Sequence, residues 1–337
     1  MSPIQGSEKI VNPLQKSALH KKGLCDYVIN VASGCLHGCT FCYVPSTPAI
    51  RTKQSILVDR GVSNPQMDWG NYLFIREEAP EKLREKLSRH RSWSETPSGK
   101  GVVLLCSGTD PYQNQAVAKI TREAIKVLLE HGKRVRILTR SPLWLNDLDL
   151  LADSNVTIGM SIPYLANKLS RKIEPNSPPP SLRLEALSKG KEAGCRVYVA
   201  MAPTHPEMDY PDFKECLEAF KKVEPEVIFW EPINARGTNG KRMVDAGLKF
   251  AKSIMTSKDW AECFVRQWTA VEKAAEDLGI LDLLHIWPDR ELSGFVSSSI
   301  LEYWWDRPTL EKWKGLSLSK EENRVQERPR LIQHVEL

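Results

Sequence analysis

Apolar positions along the chain alternate between two spacings. Short continuous runs rich in β-branched residues occur at 102–107 (VVLLCS), 134–139 (RVRILT), 156–162 (VTIGMSI), 196–202 (RVYVAMA) and 226–232 (EVIFWEP). Between and after them, residues 117–131, 142–152, 181–193, 211–223 and 241–255 carry apolar residues at helical spacing. Gly132 and Gly194 stand where two of these helices end, as C-cap residues do. An earlier run, 27–33 (YVINVAS), predicts a further strand, making six. Continuous rather than alternating apolar runs predict strands covered on both faces. Strands regularly followed by helices predict an α/β fold with a parallel sheet and right-handed crossovers.

The flanks follow different patterns. Residues 1–22 are polar and mixed in charge, and 45–100 form a long charged stretch with a helix at 83–90 and a loop at 92–101. Residues 260–278 read as one amphipathic helix. Trp287, Phe295, Tyr303, Trp304, Trp305 and Trp313 follow it, and the tail from 317 is charged. No apolar run is long enough to span a membrane, and the leader lacks the apolar core of a signal peptide. The expectation is a cytoplasmic protein with no membrane partner.

Composition adds two points. The 47 basic and 42 acidic residues leave a net charge of +5, an excess that permits a nucleic-acid partner without demanding one. Three of the eight cysteines, Cys35, Cys39 and Cys42, fall within eight residues. Buried core cysteines are one reading of this trio, and zinc is another, needing His37 or a distant cysteine as fourth ligand. The third reading is a [4Fe–4S] cluster on three thiolates, with one iron left open for a substrate or cofactor. It accounts best for the short spacing, because one loop can wrap three corners of a cube and Gly34 and Gly38 give that loop freedom.

The segment GCLHGCTFCYV resembles the cluster loop of the radical S-adenosylmethionine (SAM) enzymes, with x3/x2 spacing and an aromatic, Phe41, before the last cysteine. The resemblance covers about residues 24–255 and implies a partial (βα)6 TIM-type barrel. A polar leader (1–23) would precede the barrel, and a helical, Trp-rich extension (256–316) and a charged tail (317–337) would follow. TDPYQ (109–113), TRSPL (139–143), the IEP…R segment (173–183) and MAP (201–203) are similar to the branch containing spore photoproduct lyase. That branch also includes peptide-modifying spliceases. The resemblance implies a [4Fe–4S] cluster, SAM, and an external electron donor such as flavodoxin or ferredoxin. Reductive cleavage of SAM would then give a 5′-deoxyadenosyl radical that abstracts hydrogen.

Ligands of parallel α/β barrels gather at the C-terminal strand ends, where Ser107, Asp110, Arg140, Ser161 and Glu231 fall. Arg140 is the candidate for the SAM carboxylate, since a guanidinium fork matches two oxygens; in the resembling branch this position is often lysine. Ser161 adds a hydrogen bond, and Asp110 or Ser107 serves the ammonium or orients the loop. Glu174 and Arg183 touch the ribose or form a supporting ion pair. Glu231, Asn234, Arg236 and Asn239 are a polar string, read either as substrate or SAM contacts or as a turn with caps. The plain alternative for each charged candidate is a solvated charge or a helix cap.

Cys106 resembles the hydrogen-donor cysteine of spore photoproduct lyase, without a clearly matching register. It also reads as a small buried hydrophobe on a strand. The C-terminal tryptophans can stack bases, pack on the barrel, or form a groove for a peptide or small accessory protein. The expected function is hydrogen abstraction from a ribosomally made precursor peptide with splicease-type excision. The alternatives are a DNA photoproduct lyase and a non-catalytic iron–sulfur sensor.

Overall fold

The computed structural model of the chain describes residues 2–96 and 99–305. The apolar runs form strands β1 (Tyr27–Ile29), β2 (Val103–Leu105), β3 (Val135–Thr139), β4 (Val156–Ser161), β5 (Arg196–Thr204) and β6 (Ile228–Pro232). β7 (Leu284–Ile286) completes the parallel series. These strands lie side by side in chain order, each parallel to the next, and Gln15–Lys16 adds an antiparallel edge to β1. The sheet is an open, partial barrel. Helices α1 (Ala79–Arg89), α2 (Gln115–Glu130), α3 (Asn167–Ile173), α4 (Pro180–Glu192), α5 (Tyr210–Lys221), α6 (Asn239–Asp245), α7 (Ser257–Asp277) and α8 (Ser298–Trp305) fill the connections and the C-terminal part. No helix among the described residues is long and apolar enough to cross a membrane.

Alternation along each strand sorts the side chains into two cores. Ile158, Met160, Val197 and Val199 belong to the large cluster shared with the helices, whereas Val28, Leu104, Tyr198, Phe229 and Trp287 form a second cluster with Leu24 and Cys25. The register Val28–Leu104–Arg136–Thr157 keeps one face in line across four strands, so this second cluster is the lumen. Its floor is filled. Tyr198 occupies the space left by Gly159, whose missing Cβ would lie 2.0 Å from the tyrosine ring. The Arg136 guanidinium donates to the carbonyls of Gly23 and Leu24, each at 2.6 Å. With the floor closed, the open end is the one bearing Arg140, Ser161 and Glu231.

Four expectations change. The run 27–33 is two strands, because polar Asn30 interrupts it. Its side-chain oxygen accepts from Ser107 N (3.0 Å) and Gly108 N (2.7 Å), and its carbonyl accepts from Arg76 (2.6 Å). The chain then turns into Ala32–Gly34, in a small sheet with Tyr72–Ile75, a strand hidden within the charged stretch. The leader is built in as well, since Ile4–Ser7 pairs parallel with Tyr72–Ile75. The helices foreseen at 142–152 and 241–255 are shorter. The first is a 3-10 turn, Pro142–Asp147, before Leu148–Leu151, and the second is interrupted at Gly247 (φ +71°).

In the extension, β7 joins the sheet and the tryptophans pack inward. Trp268 meets Trp304 edge-on at 6.1 Å, Trp230 meets Phe264 at 5.3 Å, and Trp287 stacks on Phe229 at 4.0 Å. Trp313 and the tail at 317–337 lie outside the described residues.

Because Gly159 makes room for a buried ring, Gly159→Ala should lower the unfolding free energy by about 1–3 kcal/mol. Denaturant melts check this; an unchanged midpoint would mean that the lumen can repack around the methyl group.

Candidate functional site

Between Gly34 and Val44 the chain makes turns only, neither helix nor strand. A buried loop of this kind must find partners for its peptide groups elsewhere, and three segments supply them. After β2, Thr109 Oγ1 donates to Gly34 O (2.6 Å), and Gln113 Oε1 accepts from Leu36 N (2.7 Å). After α3, Ile173 O accepts from Thr40 N (2.9 Å) and Thr40 Oγ1 (3.0 Å), and Asn176 Nδ2 donates to Leu36 O (3.0 Å). From α6, Asn239 Nδ2 donates to Phe41 O (2.8 Å), while Arg242 donates to the carbonyls of Thr40 and Cys42. Gly34 has φ +90°, and a Cβ there would lie 2.2 Å from the Tyr72 carbonyl oxygen, so only glycine fits the entry to the loop.

This loop carries the three thiols. Cys35 and Cys39 are buried and Cys42 is half-buried. Burial raises all three thiols, Cys39 to about 12, and charge on Cys39 or Cys42 raises Cys35 further, so the trio is grouped. Arg140 counteracts burial at Cys39, as Arg242 does at Cys42. Among the described residues no three ligand-type side chains close tightly on a single ion; corner ligands of a cube stand farther apart than that. Grouped thiols on a glycine-bearing loop, flanked by two guanidinium groups, fit an iron–sulfur cluster held by three thiolates.

Beside the thiols lies a buried ion triad. Arg140 Nε donates to Glu174 Oε1 (2.6 Å) and Arg183 Nη2 to Glu174 Oε2 (2.8 Å). Tyr164 and Ser170 hydroxyls add bonds of 3.3 Å each to the same oxygen as Arg183. Burial would raise the Glu174 carboxyl, but the two guanidiniums outweigh it and hold it at about 2. Arg183 is fully buried and also donates to Ser161 O (2.9 Å) and Pro178 O (2.7 Å). The terminal nitrogens of Arg140 make no hydrogen bond among the described residues. Its guanidinium carbon lies 5.4 Å from the centroid of the Phe41 ring.

The remaining candidates divide. Asp110 is enclosed: its carboxylate accepts from Tyr112 N (2.8 Å), Thr139 Oγ1 (2.7 Å) and Arg140 N (2.8 Å), with His37 Nε2 at 3.2 Å. Burial opposes its ionisation, yet His37 and the hydrogen bonds hold it below the ordinary range. Ser161 is buried at the end of β4, and Ser107 is exposed with its amide on Asn30. Glu231 is gripped by Lys22 of the leader at 2.9 and 3.0 Å. Arg236 pairs with Asp289, and its amide donates to Asn239 Oδ1 (2.7 Å), so the polar string after β6 contains the capped turn. The Cys106 thiol is buried in the large core cluster that also holds Cys39 and Phe41, and burial pushes it up to about 12.

Sequence reasoning missed Arg242 and the network under the loop. There the Glu8 carboxylate accepts from Ser33 Oγ (2.6 Å), Lys53 (2.7 Å) and Arg76 (3.0 Å), anchoring the strand that delivers Cys35. Arg242, Glu8, Lys53 and Arg76 each read in sequence as a solvated charge.

Two outcomes test this geometry. A carboxyl held at about 2 against an ordinary 4.5 stabilises the fold fully above pH 4.5, a contribution lost as the pH falls towards 2. Glu174→Gln should therefore flatten the acid limb of stability in denaturant melts and cost about 3–5 kcal/mol at pH 7 by leaving guanidiniums unpaired. Arg242→Ala should speed loss of iron to a chelator by roughly tenfold, since charged hydrogen bonds are worth about 1.5–3 kcal/mol. An unchanged rate would remove Arg242 from the loop's support.

The family model described as the radical SAM superfamily matches residues 29–220, more than half of the chain. The uncharacterized protein ORF301 of Acidianus two-tailed virus is 34% identical over 221 residues, covering 63% of this chain and 69% of its own length. The uncharacterized protein MJ0683 of Methanocaldococcus jannaschii is 27% identical, covering 54% of this chain and 61% of its own. In fold, the chain is similar to spore photoproduct lyase complexed with dinucleoside spore photoproduct, with a TM-score of 0.56 and 13% identity over 84% of this chain and 80% of that one. It is also similar to Streptococcus suis SuiB bound to S-adenosylmethionine, with a TM-score of 0.50 and 12% identity over 87% and 52%. The chain belongs to the radical SAM superfamily, and its cofactors are a [4Fe–4S] cluster and SAM.

Proposed function

We propose that this radical SAM enzyme abstracts hydrogen from a ribosomally made precursor peptide and excises part of its backbone, as spliceases do. The observation that carries the catalytic part is the pair of unengaged Arg140 nitrogens beside Cys39, on a guanidinium fixed by Glu174. When bound, the cluster on Cys35, Cys39 and Cys42 supplies the electron that splits SAM into methionine and a 5′-deoxyadenosyl radical.

The chain's own residues hold SAM and exclude water. Arg140 takes the SAM carboxylate with its terminal nitrogens, and Ser161 adds a hydrogen bond from the neighbouring strand. Glu174 and Arg183 are positioning residues that keep the Arg140 fork in one orientation. Asp110 fixes the Arg140 amide and His37, and thereby the loop. Phe41 provides an apolar wall, and Ser107 and Glu231 are acceptors at the mouth, the latter sharing its carboxylate with Lys22.

One observation supports a peptide over a DNA lesion: Trp230, Trp260, Trp268, Trp287 and Trp304 pack in the core, away from any base-stacking role. Cys106, buried in the cluster that also holds Cys39 and Phe41, does not separate the two substrates. An external one-electron donor such as flavodoxin or ferredoxin completes the reaction, and a small accessory protein can present the peptide.

Reconstituted protein given SAM and dithionite should release 5′-deoxyadenosine; its absence would leave a non-catalytic iron–sulfur sensor. Cys35→Ala, Cys39→Ala or Cys42→Ala should each abolish the cluster absorbance and this product, and a full cluster in any of them would sink the ligand assignment. Incubation with candidate precursor peptides and with irradiated DNA, followed by mass spectrometry, separates the substrates. Cys106→Ala should leave peptide turnover largely intact. Repair of irradiated DNA that is lost or rerouted in this variant would establish the photoproduct lyase instead.

A further inference from the structure

Reduction of the cluster needs an electron from outside the chain, and one face of the molecule is suited to receive its carrier. Helix α3 ends against the cluster loop, where Ile173 O accepts from both Thr40 N and Thr40 Oγ1. Four residues later Ser177 Oγ lies 3.7 Å from Cys39 Sγ, and the intervening Pro175 and Asn176 are exposed. Solvent is therefore separated from a cluster ligand by one short segment. On this helix Lys168, Arg171 and Lys172 are all exposed. The ion pairs of the surroundings are Arg140–Glu174, Arg183–Glu174 and Lys189–Glu185, and none of them engages these three cations.

The helix dipole does not explain the set. Cations in the last turn, Arg171 and Lys172, are favourable there, but Lys168 stands in the first turn, where a positive charge is unfavourable. Three positive charges without an ion pair among the described residues, next to the segment that carries Ser177 against Cys39, form a surface complementary to an acidic protein.

We propose that the exposed face of α3, with Pro175 and Asn176, is the docking site of an acidic one-electron donor protein of the flavodoxin or ferredoxin class. It passes its electron to the cluster by way of the Cys39 side of the loop. One electron leaves the reduced donor and one enters the cluster, with no bond made or broken at this face. The inference rests on the radical SAM reading given above.

The test compares the holoenzyme with its Lys168→Glu/Arg171→Glu/Lys172→Glu variant, using a reduced flavodoxin as probe. Charge reversal should weaken flavodoxin binding by at least about tenfold at low ionic strength. It should slow flavodoxin-driven cluster bleaching in stopped flow to a similar extent and leave dithionite-driven 5′-deoxyadenosine formation unchanged. The milder Lys168→Gln/Lys172→Gln variant should show a smaller loss in the same direction. In the wild type, carbodiimide cross-links to flavodoxin should map to Lys168 and Lys172.

Equal flavodoxin binding by wild type and reversed variant would overturn the proposal. So would a loss that follows reversal of the distant Lys86 and Lys133, or a variant impaired only in binding an oligonucleotide. Absence of 5′-deoxyadenosine even with dithionite would count against the catalytic reading instead, so the two failures are distinguishable.

Discussion

A buried loop without regular structure has to borrow hydrogen-bond partners for every peptide group it takes out of water, and an unmet group costs on the order of 1–3 kcal/mol. The loop bearing Cys35, Cys39 and Cys42 is under this constraint, and much of the upper molecule can be understood as the response. Thr109 and Gln113 come from the end of one strand, Ile173 and Asn176 from a helix end, and Asn239 and Arg242 from the helix after the sixth strand. Elements far apart in sequence converge because the parallel sheet brings all their strand ends to one rim. The thiols are thus placed by groups drawn from three separate segments of the chain.

The charged groups follow the same logic. Glu174 is buried with two arginines, and on its own such a triad would be a doubtful source of stability. Here it fixes a guanidinium whose terminal nitrogens stay unengaged among the described residues. Asp110 acts in parallel, tying the end of β3 to His37 of the loop. Below them, Arg136, Tyr198 and Phe229 close the lumen, so the barrel is filled at one end and chemically equipped at the other.

Much of this was legible in the chain. The central strands announce themselves as β-branched runs because both their faces are covered, and the cysteine spacing marks the loop directly. Leu284–Ile286 was hidden because three residues beside a long amphipathic helix carry too little pattern to stand out. Tyr72–Ile75 was hidden by its charged surroundings. Ile4–Ser7 is exposed along its whole length, so its pairing is backbone pairing with no hydrophobic signal to read. At the site, the identities of Arg140, Asp110 and Glu174 could be listed from strand ends, but not who pairs with whom. Whether a glutamate meets two arginines or water is decided by tertiary packing, and the sequence of Arg242 or Glu8 is indistinguishable from that of a surface charge.

The leader has one more consequence. Ile4–Ser7 pairs with the strand at 72–75, Leu24 and Cys25 pack in the lumen cluster with Trp287, and Lys22 reaches Glu231, 209 residues further on. The first of these partners is made soon after the segment, but the contacts to Trp287 and Glu231 wait until nearly the whole barrel has been synthesised. Closures of such long sequence separation are slow. The last contacts of this segment are then late events of folding, whereas the strand that leads to Cys35 pairs with Tyr72–Ile75, a partner made much earlier.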